Sequence, residues 1–268
     1  MVSIQKIYDD AENLYEQGNY EEALKLFASI MDDYETYSAA CYYGCCLTRL
    51  GEYDKSIAIF KKLLDLCPDW ESLWYNLGDA YLKNGDKEQA LSCLLKAEEI
   101  APEHPCALFY LGLYYEKGED YNKAISYYER SLTLNNCFET NASLAVCYYA
   151  VDKFSKALLY AKTAFELKPH HIDGLFYYTR LLVKNKKYKE AVEVFESTDL
   201  NFDNDDEILI TYIICYLRTG NAKKADIAYE KLKKVDSVSN MVCDYENIKK
   251  IYWAKSISIN LGTVNVKT

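Results

Sequence analysis

Trp74-Tyr75-Asn76-Leu77-Gly78-Asp79-Ala80-Tyr81, followed by Gly85-Asp86-Lys87-Glu88-Gln89-Ala90 and closed by Pro102, is the stretch from which the fold can be read. Apolar residues at 74, 77, 80 and 81 fall on one helix face, and those at 90, 91, 94 and 97 repeat the pattern. Gly85 breaks the chain between the two helices, while Gly78 and Ala90 are small where the helices must approach. The turn phrase recurs along the chain. It reads Gly18-Asn19-Tyr20-Glu21-Glu22-Ala23, then Gly51-Glu52-Tyr53-Asp54-Lys55-Ser56, then Glu119-Asp120-Tyr121-Asn122-Lys123-Ala124. Three more follow: Asp152-Lys153-Phe154-Ser155-Lys156-Ala157, Lys186-Lys187-Tyr188-Lys189-Glu190-Ala191 and Gly220-Asn221-Ala222-Lys223-Lys224-Ala225. The seven phrases end at 23, 56, 90, 124, 157, 191 and 225, always 33 or 34 residues apart. Pro68, Pro102 and Pro169 share one repeat position, ending a second helix where a missing N–H is tolerated.

That period, with Trp74, Leu77, Gly78, Tyr81, Ala90 and Pro102 in place, resembles the tetratricopeptide repeat (TPR) over residues 4–239. The resemblance implies an all-α, right-handed superhelical solenoid of about seven helix-turn-helix units. Their bounds are about 4–36, 37–70, 71–104, 105–137, 138–171, 172–205 and 206–239. A helix pair cannot bury its apolar face alone, so each stacks on its neighbours. The departures are mild: Ser56 replaces Ala, Lys87, Leu94 and Ala222 replace aromatics, and Gly is missing from the turns of units five and six. Met241, Tyr245, Ile248 and Tyr252 share one helix face, which predicts a capping helix over 240–258 ahead of a loose tail, 259–268.

Composition narrows the class. Half of the 268 residues are hydrophobic and 27% are charged, which excludes wholesale disorder. The longest nearly apolar run, Ile208 to Leu217, is too short to span a bilayer. The N-terminal residues reach Asp9, Asp10 and Glu12 without an apolar signal-peptide core. A net charge of −10 opposes binding to a phosphate backbone, so nucleic acid is excluded as a partner. Ten scattered cysteines without a Cys-x-x-Cys pair predict reduced thiols and a cytoplasmic protein. The 27 tyrosines are expected to serve packing.

No phosphate loop, dinucleotide fingerprint, nucleophile elbow or zincin motif occurs, and His104, His170 and His171 stand at inter-repeat turns. Cys41 and Cys45, with Cys46 beside them, form the best metal candidate. Completing it would take ligands from Tyr8, Glu12, Tyr75 or Asp79, and small half-buried thiols are the simpler reading. The expectation is therefore no catalytic residue, no metal and no cofactor. A metalloprotein or an enzyme built on the repeat frame is the minor alternative.

In the TPR family the first helix of each pair lines a concave groove through repeat positions 2, 5, 9 and 12, whose spacing puts them on one face. Carried onto this chain, position 5 holds Tyr8, Cys41, Tyr75, Phe109, Ala142, Phe176 and Ile210. Position 9 holds Glu12, Cys45, Asp79, Leu113, Val146, Arg180 and Ile214, and position 12 holds Tyr15, Thr48, Leu82, Glu116, Tyr149, Val183 and Leu217. Position 2 adds Gln5, Ser38, Ser72, Cys106, Glu139, Asp173 and Glu207. Six acids against the single base Arg180, over a mostly apolar floor, predict an acid-rimmed groove for an amphipathic, basic peptide or helix. Partner contacts are expected at Tyr8, Glu12, Tyr15, Tyr75, Asp79, Leu82, Phe109, Leu113, Glu116, Glu139, Tyr149, Asp173, Phe176 and Arg180. Substituting Phe109 or Tyr75 is expected to spare the fold, and Cys41 and Cys45 are expected to react first with thiol reagents. The cationic clamp by which some TPR proteins hold a C-terminal carboxylate is missing. Self-filling of the groove and a self-assembling structural protein remain alternatives. An acidic start against a basic end predicts at most weak head-to-tail association.

Overall fold

A computed structural model describes residues 3–31 and 37–235. Among them are fourteen α-helices and no strand. They are α1 (Ile4–Glu16), α2 (Tyr20–Ile30), α3 (Tyr37–Arg49), α4 (Tyr53–Leu66), α5 (Glu71–Asn84), α6 (Lys87–Ile100) and α7 (Pro105–Lys117). There follow α8 (Tyr121–Leu134), α9 (Phe138–Ala150), α10 (Phe154–Leu167), α11 (Ile172–Lys184), α12 (Tyr188–Ser197), α13 (Asp206–Arg218) and α14 (Ala222–Val235). The expected capping helix at 240–258 and the tail at 259–268 lie outside the described residues.

The chain divides into two compact units, Met1–Asn136 with α1–α8 and Cys137–Thr268 with α9–α14. Within each, consecutive helices pack as antiparallel hairpins, and each odd-numbered helix also touches the next odd-numbered one. In each unit the odd helices make one layer and the even helices the other.

One turn geometry recurs in all seven hairpins. Gly85 has φ +90°, its N–H bonds the Leu82 carbonyl at 3.3 Å, and the Asp86 N–H reaches back to Tyr81 at 3.0 Å. This paired ending satisfies two carbonyls that the helix terminus leaves open. Residues 18, 51 and 220 are also Gly with positive φ, but Glu119, Asp152 and Lys186 adopt φ near +60° at the same repeat position. The turn survives without glycine because the packing of its two helices imposes it, at a cost of about 1–2 kcal/mol per residue.

Helix contact depends on a second small position. A Cβ at Gly44, Gly78 or Gly112 would stand under 3.0 Å from Phe60, Leu94 or Tyr128, each fully buried on the second helix of the pair. Ser56, which departs from the repeat pattern, bonds the Gly44 carbonyl at 2.8 Å and the Thr48 hydroxyl at 2.6 Å, so its polar atom is satisfied although buried. Trp74 donates its indole N–H to the Pro68 carbonyl at 2.7 Å, tying the start of α5 to the preceding loop.

Candidate functional site

The residues selected from the sequence fall into two groups with different fates. In the first unit most are consumed by packing. Tyr8 and Tyr15 meet Tyr42 edge-to-face at 5.9 and 5.4 Å, and Tyr42 stacks on buried Phe27 at 5.2 Å. Tyr75 stacks on both His104 and Tyr110, at 5.3 and 5.6 Å. Phe109 packs on Tyr110 and on fully buried Tyr128, each at 5.5 Å. Tyr75 and Phe109, expected to face only the groove, thus also pack on neighbouring side chains, so substituting either removes intramolecular contacts as well. Leu82 is buried, and Leu113 packs against the core that contains it.

The expectation for Asp79 needs correction. It is only 4% exposed, its Oδ2 accepts from the Lys83 ammonium at 2.9 Å, and its Oδ1 has no hydrogen-bond partner. Burial lowers the Lys83 ammonium pKa, although Asp79 opposes the shift. The carboxylate is an interior group of α5 and not part of a rim.

Each of the six acids counted on the four rows has a partner from its own chain. Glu12 accepts from Tyr42 at 2.8 Å, Glu116 from Tyr128 at 2.7 Å, and Glu139 from Lys168 at 2.8 Å. Asp79 has Lys83, Asp173 lies 3.8 Å from His171 Nδ1, and Glu207 lies 3.9 Å from Arg180. Burial raises the Glu139 carboxyl and the Lys168 contact overrides it, leaving the pKa below the ordinary carboxylate value. Three of the six, Asp79, Glu139 and Glu207, thus face a lysine or arginine, while Glu12 and Glu116 are held by neutral tyrosine hydroxyls and keep their charge.

Selected residues of the second unit border open space. A cleft of about 310 Å³ lies against α11 and α13 and is reached by Tyr149 from α9. Phe176, Val183, Ile210 and Ile214 supply its apolar lining, with Arg180, Lys184, Glu207 and Thr211 among them. A recess of about 190 Å³ between α9 and α11, lined by Ala145, Val146, Tyr177 and Leu181, adjoins it and shares Tyr149 and Arg180. Tyr149 is 38% exposed. The Arg180 guanidinium stands 5.3 Å over Phe176, and the Lys184 ammonium stands 4.8 Å over Phe154 and 5.7 Å over Tyr149.

Tyr177, Lys184 and Thr211 lie on none of the four rows, yet each sits one residue beyond a row member. Tyr177 and Thr211 follow members of position 5 and Lys184 follows a member of position 12, so the residue after a row member is the signal that could have found them.

The cysteines need a separate correction. Cys41 is buried, and its hydrogen bond to Cys45, helped by burial, holds the Cys45 thiol well above the ordinary range. Neither is poised to react first. Cys106, at the start of α7, is the exposed one among the described cysteines. Among the described residues no three of His, Cys, Asp and Glu converge where they could hold a metal ion, and no helix is long and apolar enough to cross a membrane.

Comparison with known proteins agrees with this architecture. The tetratricopeptide repeat family matches residues 11–36, 35–103 and 69–136, and the family described as anaphase-promoting complex, cyclosome, subunit 3 matches 117–198. A TPR repeat-containing protein of Methanocaldococcus jannaschii is 26% identical over 96% of this chain, which spans 48% of that relative. Anaphase-promoting complex subunit 3 of Schizosaccharomyces pombe is 36% identical over 31% of this chain and is matched over only 13% of its own length. Among solved structures, a thermophilic TPR protein of Thermus thermophilus superposes with a TM-score of 0.62 at 24% identity, covering 68% of this chain and all of that one. PilF of Pseudomonas aeruginosa gives a TM-score of 0.68 at 15% identity, over 78% of this chain and 96% of its own. At these identities the structures speak for the fold.

Proposed function

Because the chain is a tetratricopeptide-repeat protein, we propose that it is a non-enzymatic scaffold that receives a segment of a partner protein on the inner layer of its second unit. TPR proteins are protein-interaction scaffolds as a class, and the observation that supports this site is the apolar cleft along α11 and α13. Contiguous apolar surface left open to water costs free energy unless something covers it. Phe176, Ile210 and Ile214 offer side chains that an amphipathic segment could bury, with aromatic Tyr149 at the edge. The basic character expected from the sequence has less support at this cleft, where Arg180 and Lys184 stand beside the acid Glu207. A cytoplasmic setting belongs to the same proposal and rests on the reduced state expected of the ten thiols.

Affinity capture from native lysate tests the reading. The wild-type chain, Phe176→Ala with Ile210→Ser, and Leu159→Ser on the outer helix α10 would be compared. Leu159 is 59% exposed, so its replacement controls for loss of a surface apolar group elsewhere. Proteins retained by wild type and Leu159→Ser but lost from the cleft variant support the proposal. A capture profile unchanged by the cleft variant refutes it.

A further inference from the structure

We infer that the cleft of the second unit selects a partner segment that carries an acidic side chain within about one helical turn of its apolar anchor. The inference rests on the scaffold reading above and reverses, for this site, the charge preference expected from the sequence. Two cations border the cleft, Arg180 and Lys184, four residues apart on α11 and so on one face of it. Lys184 has no carboxylate within salt-bridge distance among the described residues; its ammonium rests on the rings of Phe154 and Tyr149. The one acid of the cleft, Glu207, lies 3.9 Å from Arg180, and their side chains are 62% and 54% exposed. At that distance and exposure the pair is weak and open to competition. The site therefore holds an apolar lining, one uncompensated ammonium and one loosely held guanidinium.

An occupant that buries an aliphatic or aromatic side chain between Phe176 and Ile210 draws water away from both cations. A carboxylate then meets Lys184 in a less polar surrounding, where the attraction is stronger than on an open surface. A lysine or arginine in the same place faces two like charges, and repulsion across an interface discriminates sharply against wrong partners. The aromatic contacts of Lys184 keep its ammonium at the edge of the cleft before the occupant arrives, which reduces the ordering that binding must supply.

The test uses the full chain and a library of random dodecapeptides displayed on phage, followed by anisotropy titration of the selected peptides. Selected sequences should pair a large apolar residue with Asp or Glu. Kd should rise at least tenfold on Lys184→Glu, and comparably when the acid of the peptide becomes Gln. An acid-to-Lys peptide should recover binding on the Lys184→Glu chain. Both cationic side chains are exposed, so the variants should keep wild-type circular dichroism.

Peptides that require Phe176 and Ile210 but carry Lys or Arg, or that ignore Lys184→Glu, overturn the inference and leave the scaffold reading standing. Selection that yields no peptide dependent on Phe176 and Ile210 defeats both. The chain has acids of its own beyond α14, Asp236, Asp244 and Glu246. Replacing all three by Lys should leave the peptide Kd within twofold. A tenfold tightening would give the cleft to those residues and overturn the assignment to a partner.

Discussion

Replacing Gly112 by Ala should destabilise the fourth helix pair, although the same exchange in an unobstructed helix is favourable. The added methyl would lie 2.6 Å from Cδ1 and Cε1 of Tyr128 and 3.0 Å from its Cγ. Carbon atoms pack comfortably at roughly 3.5–4.0 Å, so the ring or the helix must retreat by about 1 Å. The ring is poorly placed to do so. Tyr128 has no exposed surface, Phe109 stands 5.5 Å from it, and its hydroxyl is held by Glu116, on the same helix as Gly112, at 2.7 Å. Overpacking of this kind costs about 1–3 kcal/mol, against about 1 kcal/mol regained by removing a mid-helix glycine. A net loss of up to about 2 kcal/mol is expected. Gly174 provides the control, because its nearest neighbour would be Phe138 Cε2 at 3.3 Å and the next Phe165 Cα at 3.6 Å. There the helix gain should nearly balance the contact. Urea unfolding followed by circular dichroism compares the variants, and hydrogen exchange of α7 and α8 locates the loss. A Gly112→Ala midpoint at or above wild type would refute the reasoning.

Other consequences can be checked in the same protein. Lys186→Gly should raise stability by up to about 1 kcal/mol, since Lys186 sits at φ +59°, and Gly85→Ala should lower it by about 1–2 kcal/mol; equal urea midpoints would contradict the turn analysis. Burial lifts the Tyr8 phenol to about 12, carries Tyr15 and Tyr75 higher still and holds Tyr110 well above the ordinary phenol, while an unfolded tyrosine ionises near 10. The folded state thus holds these protons more tightly, and stability complete below about pH 10 should be lost as pH rises toward 12 and beyond. Absorbance at 295 nm should show a late group of phenols released only as helicity falls, and a single step near pH 10 with helicity intact would count against it. Cys106 should react first with a thiol reagent in the folded protein, whereas Cys46 and Cys215, buried and lifted to about 12, should wait for unfolding. Peptide mapping of the labelled sites decides this.

The repeat was legible because the packing of a helix pair is local. Gly78 against Leu94, the proline between pairs and the residue of positive φ between helices all lie within one 34-residue period, and recurrence multiplies the signal. Even the departures were absorbed: Ser56 finds two partners within its own pair. The rows of Phe109, Phe176 and Arg180 were also legible, since the TPR resemblance names the positions and helical spacing puts them on one face. Which of them stay open was not. Tyr75 is covered by His104 and Tyr110, some thirty residues further on, and the acids of the rows find Tyr42, Lys168 and Arg180 on neighbouring helices. Whether a face is filled or free depends on the size and charge of side chains that meet only when pairs stack. Sequence periodicity fixes the direction in which a side chain points, and tertiary packing alone decides what it meets there.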